Sequence, residues 1–292
     1  PVRRPRVLLR ACGVVPVEIW GPPGHALVTG DAHLQAYTCS VVRHALAFIA
    51  DGGLEGKADC LISPHTCDSL QGLGSVLLDF QRPDLPVMPF YLPRGDRDSD
   101  RRFLAAELRA LAAKLGEISG KTPEDPALHE ACDREQEADR LLSELLSRGL
   151  EGQGGNRKAY ELLRSREYLP AEEFSAQAQE LLAGSPAEAA PPALPLLLSG
   201  LMPEPMGILD ALDEAGATVV ADDLACVGRR LYRPADDQDP FERMARGLLS
   251  GAPDSTRGAS IEARAEHLIE LARARGARGV LFFLVKLCEP EL

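Results

Sequence analysis

The segment Cys60-Leu61-Ile62-Ser63-Pro64-His65-Thr66-Cys67-Asp68-Ser69-Leu70 decides the reading of the fold. A short apolar run, Cys60–Ser63, gives way at Pro64 to a polar turn, and a helical pattern follows from about Asp68 to Asp79. Strand, turn and helix in that order make half of a parallel βα unit. Working outward, Val87–Phe90 between Pro86 and Pro93 reads as the next strand, and Ser40–Ala50 as a helix stopped by Gly52 and Gly53. Val7–Leu9 and Ala26–Val28 read as two further short strands. The rhythm returns near the other end, with strands at Leu194–Leu198, Thr218–Ala221 and Val280–Val285 and a helix at Gly207–Ala215. Between the two α/β halves, charged amphipathic segments carry apolar residues at three- and four-residue spacing, as in Leu104, Leu108, Leu111 and Leu115.

The predicted organisation is a first α/β domain over 1–98, a helical block over 99–184 and a Pro/Ala-rich linker over 185–195. A second α/β domain covers 196–292. Pro126 and the Gly152-Gln153-Gly154-Gly155 stretch divide the helical block. No short tandem repeat is present.

Composition narrows the class. The chain has 292 residues, 45% hydrophobic and 26% charged, which fits a globular protein of about two domains with real cores and excludes a wholly disordered or fibrous one. Aromatic residues are only 5% with a single tryptophan, Trp20, so the cores must be built from Leu, Val and Ala on helices. A formal charge of −12 repels phosphate backbones, so nucleic acid is not an expected partner, and an anionic ester such as a coenzyme A thioester needs a local basic cluster. No apolar run reaches the ~20 residues of a membrane span, and the Arg-rich start lacks the apolar core of a secretory signal. The expected compartment is the cytoplasm. A chain that opens at Pro1 is expected to be processed or trimmed there.

The seven cysteines are Cys12, Cys39, Cys60, Cys67, Cys132, Cys226 and Cys288, an odd number without a close pair, which argues against a disulfide scaffold. Cys67, Cys226 and Cys288 each follow a strand, at the sheet edge where ligands of parallel sheets bind. Cys39 precedes a helix, where the N-terminal dipole stabilises a thiolate or an anionic cluster, and Thr38 and Ser40 are the natural caps beside it. Cys60 inside a strand and Cys132 inside a helix read as core residues. The polar turns around Cys39, Cys67 and Cys288 favour ligation over packing, and Cys12 and Cys226 stay open between the two. Structural zinc shows closely paired ligands, which are absent; widely separated single thiolates suit an iron–sulfur cluster between domains better.

Four segments together resemble the 2-hydroxyacyl-CoA dehydratase and benzoyl-CoA reductase family. They are Tyr37-Thr38-Cys39-Ser40 with Arg43, Leu61–Ser69, Gly216–Arg229, and Val280-Leu281-Phe282-Phe283-Leu284-Val285-Lys286-Leu287-Cys288-Glu289-Pro290. The resemblance covers nearly the whole chain. It implies two Rossmann-like or flavodoxin-like parallel-sheet domains facing each other, with a [4Fe-4S] cluster in the cleft held by Cys39, Cys67 and Cys288. Three thiolates leave one iron open. It also implies a homologous cluster-bearing partner subunit or a homodimer, an ATP-hydrolysing iron–sulfur activator protein and an acyl-CoA substrate.

Two departures bear on that expectation. The chain stops four residues after Cys288, where the family continues through a further βα unit, so the second sheet is expected to be short or the chain truncated. The cysteine count, with Cys12 in Ala11-Cys12-Gly13, is similar to the branch carrying an [8Fe-9S] double cubane, which needs six thiolates and would recruit Cys12 and Cys226. A double-cubane reductase of small molecules is therefore the alternative, and a non-catalytic electron-relay or assembly protein the reading from another class. His25 and His65 read as bystanders in polar turns, with proton donation the competing role. Arg82, Arg94, Arg97, Arg101 and Arg102 suit CoA phosphates, or equally a solvated loop interleaved with Asp96, Asp98 and Asp100. Ser40 and Ser69 read as caps or as donors to the cluster.

Overall fold

The computed structural model describes residues 4–22, 24–81, 83–148, 155–184 and 193–291. In chain order these residues form α1 (Arg6–Ala11), α2 (Val28–His33), α3 (Ser40–Ala50), β1 (Leu61–His65), α4 (Asp68–Val76), β2 (Val87–Tyr91), α5 (Asp98–Ser119) and α6 (Asp125–Arg148). They continue as α7 (Asn156–Ser165), α8 (Ala171–Gly184), β3 (Leu194–Gly200), α9 (Gly207–Glu214), β4 (Ala217–Leu224), α10 (Pro240–Leu249), α11 (Ile261–Ala274) and β5 (Gly279–Phe283). The fold is α/β with parallel strands throughout: β1 pairs with β2, and a second sheet has the order β4-β3-β5.

Local sequence explains this layout. β3 is an apolar run flanked by strands on both sides, and Leu197 and Leu198 are fully buried, as expected of a central parallel strand. β5 lies at the sheet edge and alternates half-buried with exposed positions, leaving Val280 and Phe282 in solvent. At the end of β3, a Cβ on Gly200 would stand 2.1 Å from the Phe283 carbonyl oxygen, so only glycine lets β3 and β5 approach there.

α6 is shared between two cores. Its first part places Leu128, Ala131 and Cys132 against α1, α5, α10 and the β2 residues Met88 and Phe90. Its second part places Ala138, Leu141, Leu142, Leu145 and Leu146 against α7, α8, α9, β3 and β4. The spacing of three and four residues that marks a helix in the sequence is the stripe that faces these cores. Where the two parts meet, Glu135 accepts from Arg6 Nε at 3.3 Å and from Arg166 Nη2 at 2.5 Å, all three side chains being buried. A third core joins α3 and α4 and includes Cys39 and Cys288.

Several expectations are corrected. Val7–Leu9 is part of α1, because Leu8, Leu9 and Ala11 bury one face of a helix and leucine and alanine favour that state. Ala26–Val28 forms no strand; Val28 begins α2. Beyond Val76 the helix over 68–79 widens into a π turn, Leu77–Gln81. Cys60 precedes β1, which instead extends through Pro64 to His65 and tolerates Pro64 because β1 pairs on one side only. β4 runs on to Leu224, and β5 ends at Phe283. Most of the linker (185–192), Gly152–Gly154 of the break in the helical block and Arg82 lie outside the described residues. Among the described residues no helix is long and apolar enough to cross a membrane.

Candidate thiol site

Cys39 and Cys67 occupy equivalent positions. Each is the residue before the first turn of a helix, Cys39 for α3 and Cys67 for α4. Backbone N–H groups of Val41 and Val42 act on the Cys39 sulfur, and those of Ser69 and Leu70 on the Cys67 sulfur. Neither sulfur makes a capping hydrogen bond, so the first N–H groups of both helices stay directed at the space beside it. Helix N-termini carry partial positive charge and free N–H groups, so both positions favour anionic sulfur.

Cys288 arrives from the other sheet. The turn after β5 is fixed by hydrogen bonds from Cys288 N to Val285 O and from Glu291 N to Cys288 O, both 3.0 Å. Leu287, just before it, has φ of 64°, a left-handed conformation that strains a leucine and fixes where the next side chain emerges. Cys288 is buried in the same core as Cys39, and the two thiols act on each other. The neighbouring Cys288 thiol, followed by the backbone N–H groups, pulls Cys39 down to about 6 against the opposing effect of burial. The same proximity and burial push Cys288 far up. Cys67 is half-buried, its thiol raised mainly by burial, and its charge acts on Cys288 as that of Cys39 acts on it.

The other four cysteines are elsewhere. Cys12 and Cys132 are buried in the core of α1, α5 and α10, with Cys60 at its margin, and Cys226 is buried in the core of β3 and β4. Burial raises all four thiols, that of Cys132 to about 11. The structure thus brings Cys39 and Cys288 into one core, with Cys67 near enough for charge to act between them, and leaves Cys12 and Cys226 in separate packing.

Among the described residues no three His, Cys, Asp or Glu side chains converge on a single ion. Thiolates are the ligands that iron–sulfur clusters take, and a cubane binds them at separate corners and not at one point, so the chemistry of Cys39, Cys67 and Cys288 is compatible with one. A second feature agrees with a negatively charged occupant: Arg43, whose charge acts on Cys39, has a buried Nε without a hydrogen-bond partner.

A carboxylate–arginine network, assembled from residues far apart in the chain, supports the Cys288 turn. Arg229 donates from Nη1 and Nη2 to the two Glu291 oxygens at 2.6 and 3.0 Å, and from Nε and Nη2 to Asp223 Oδ2 at 3.2 and 3.1 Å. Asp223 also accepts from Ser199 Oγ at 2.8 Å, tying β3 and β4 to the same cation. The one signal of it in the sequence is the adjacent pair Asp222-Asp223 inside an apolar strand, followed by Arg229-Arg230.

Asp222 faces the opposite problem. Burial pushes it up to about 7, although it accepts from Tyr160 Oη and from the N–H groups of Leu224 and Gly228 at 2.9 and 2.7 Å. A carboxyl whose folded pKa exceeds its unfolded value adds stability below the unfolded pKa and loses it as pH rises through the folded one. Asp222→Asn should therefore gain on the wild type between about pH 4 and 7, by up to roughly 4 kcal/mol at 1.4 kcal/mol per pKa unit. Urea midpoints of both proteins across that range measure it, and a constant difference would refute the assignment.

The remaining candidates lie apart from chemistry of their own. His25 pairs with Asp51 at 2.8 Å. Arg97 and Arg101 are paired with Asp100 and Asp98 at the start of α5. His65 packs its ring on Tyr91 at 4.5 Å and keeps a buried Nε2 without a partner.

With fold and site described, comparison with known proteins defines the class as subunits of enzymes. The sequence model described as 2-hydroxyglutaryl-CoA dehydratase, D-component, matches residues 1–292. The chain is 24% identical over 298 residues to the (R)-phenyllactyl-CoA dehydratase beta subunit of Clostridium sporogenes, covering 100% of this chain and 78% of that protein. It is 24% identical to the beta subunit of (R)-2-hydroxyglutaryl-CoA dehydratase of Acidaminococcus fermentans, covering 100% and 79%. It is 26% identical to a subunit of the benzoyl-CoA reductase of Thauera aromatica, covering 100% and 78%. The chain belongs to the 2-hydroxyglutaryl-CoA dehydratase D-component family.

Proposed function

We propose that the chain is the iron–sulfur subunit of an ATP-activated 2-hydroxyacyl-CoA dehydratase or benzoyl-CoA reductase, with Cys39, Cys67 and Cys288 holding one [4Fe-4S] cluster. The observation that supports this reading is the placing of these three thiols near enough to act on one another, two at helix N-termini and one from the turn after β5. When bound, the cluster supplies a one-electron donor of low potential for a CoA thioester. The chain's own residues hold and shield it: the N–H groups at the starts of α3 and α4 and the Arg43 guanidinium compensate negative charge, and the core around Cys39 and Cys288 excludes water. One cubane is favoured over an [8Fe-9S] pair because Cys12, Cys60, Cys132 and Cys226 pack in or against other cores than the one that holds Cys39 and Cys288.

The relatives are each named as one subunit of a larger enzyme. Those names support a partner subunit; the reading takes it to be homologous and cluster-bearing, with a homodimer as the alternative, and adds an ATP-hydrolysing activator as electron source. The test combines the anaerobically purified chain with its partner subunit, the activator and ATP, and offers it 2-hydroxyacyl-CoA esters and benzoyl-CoA. ATP-dependent elimination of water from the former, or reduction of the latter, is the expected result. ATP-dependent reduction of the protein without turnover of any ester would assign it to electron relay instead.

A further inference from the structure

Where the two parts of α6 meet, a cavity of about 80 Å³ opens among α1, α6, α10 and the residue that ends α7. It lies apart from the thiol site: Cys39, Cys67 and Cys288 do not line it. Val7, Leu142, Met244 and Leu248 give it apolar walls. Arg4, Arg6, Arg166 and Arg230 also reach it, each side chain at most 10% exposed. Three carboxylates answer these four cations. Glu18 pairs with Arg4 and Arg230, Glu135 with Arg6 and Arg166, and Asp139 with Arg166. Arg243, which also lines the cavity, has its own partner in the exposed Asp133. The cluster therefore keeps one buried positive charge in excess, a costly state that a single monoanion relieves.

The unmet hydrogen bonds define the occupant further. Arg166 Nη2 donates to Glu135 Oε2 at 2.5 Å and to Asp139 Oδ1 at 2.9 Å, whereas its Nε and Nη1 are buried and have no partner among the described residues. Glu135 accepts from both Arg6 and Arg166 at Oε2, and its Oε1 is buried without a partner. Both side chains line the cavity. Open donors on a cation call for an anionic acceptor, and an open carboxylate oxygen on the neighbouring residue calls for a neutral donor such as a hydroxyl. The apolar walls call for hydrocarbon, and the space, equal to that of a few waters, limits it to a short chain.

We propose that this cavity binds a short hydroxycarboxylate, its carboxylate accepting from Arg166 and its hydroxyl donating to Glu135 Oε1, with its hydrocarbon part against Val7, Leu142, Met244 and Leu248. Arg6 belongs to α1, Glu135 to α6 and Arg166 to the end of α7, so the bound acid completes a junction between the two cores that α6 joins. The site does not rest on the cluster reading.

The test is calorimetric titration of the full chain, purified anaerobically and desalted into a carboxylate-free buffer at neutral pH, at two temperatures so that a vanishing heat at one is read at the other. The probes are 2-hydroxybutyrate, butyrate, 2-hydroxybutanamide and inorganic phosphate. 2-Hydroxybutyrate should bind once per chain. Butyrate should bind ~10-fold more weakly because it leaves Glu135 Oε1 unmet. The uncharged amide should bind ~100-fold more weakly, and phosphate, with nothing to place against the apolar walls, more weakly than 2-hydroxybutyrate. Arg166→Lys, which keeps the charge and loses the open guanidinium donors, should weaken 2-hydroxybutyrate by ~10-fold. Val7→Phe, which fills the apolar wall and leaves every charged group in place, should abolish binding without changing the circular dichroism spectrum. Cys39→Ala should bind as the wild type does. Retention in Val7→Phe or loss in Cys39→Ala would place the acid elsewhere and overturn the proposal. Equal affinity for butyrate, tighter binding of phosphate, or no saturable heat with any probe would overturn it as well, the last leaving the cavity to water alone.

Discussion

Arg229→Met is expected to lower the free energy of unfolding by about 3–5 kcal/mol, the cost of removing one partner from a buried ion pair. The side chain is 2% exposed and is bound by two carboxylates, Asp223 and Glu291, at 6% and 4%. Methionine replaces most of the volume and none of the charge, so two carboxylates remain in an apolar setting. Asp254 Oδ2, 3.9 Å from Arg229 Nη1, adds a third. The urea midpoint measures the loss. Adding Asp223→Asn and Glu291→Gln should recover most of it, because the penalty lies in uncompensated charge and not in packing. A change below about 1 kcal/mol in the single variant would show that the network is solvated and does not anchor the Cys288 turn.

The second large effect concerns iron. Cys39→Ala, Cys67→Ala and Cys288→Ala should each lose most of the iron bound by the wild-type chain, since each removes a thiolate that nothing nearby replaces. Cys12→Ala and Cys226→Ala should keep it. Circular dichroism separates loss of metal from loss of fold, and the expectation is native spectra in the first three variants, as a cysteine-to-alanine change removes a single heavy atom. Full iron retention in any of those three would remove that residue from the site.

How much of the fold and site is legible in the sequence depends on the range of the interaction. β1 with α4, and β3, β4 and β5, are short apolar runs bounded by proline, glycine or polar turns, and local pattern suffices. α3 is legible over its whole length because Gly52 and Gly53 stop it. Val7–Leu9 reads wrongly as a strand because three adjacent apolar residues fit strand and helix equally, and only burial of Leu8 and Leu9 in the core with α5 decides. α10 escapes the periodic reading, although Asp239-Pro240 is the cap and first-turn proline of a helix, and Asp239 Oδ1 accepts from Phe241 N at 2.8 Å. α11 escapes it because the helix buries none of its residues and so carries a diluted apolar stripe. Turn contexts locate Cys39, Cys67 and Cys288 at the ends of elements. Local pattern carries no information about pairing across the fold, so neither the burial of Cys39 and Cys288 in one core nor the clasp of Arg229 on Glu291 is readable before the tertiary structure.

One cubane per chain is the central claim, and the most direct measurement is iron and acid-labile sulfide per chain in protein purified under strict anaerobiosis. A single cubane predicts about four irons and about four sulfides. About eight irons with about nine sulfides would overturn it and bring Cys12 and Cys226 into ligation. Zinc in place of iron, or a colourless chain that takes up no iron when reduced, would contradict it outright.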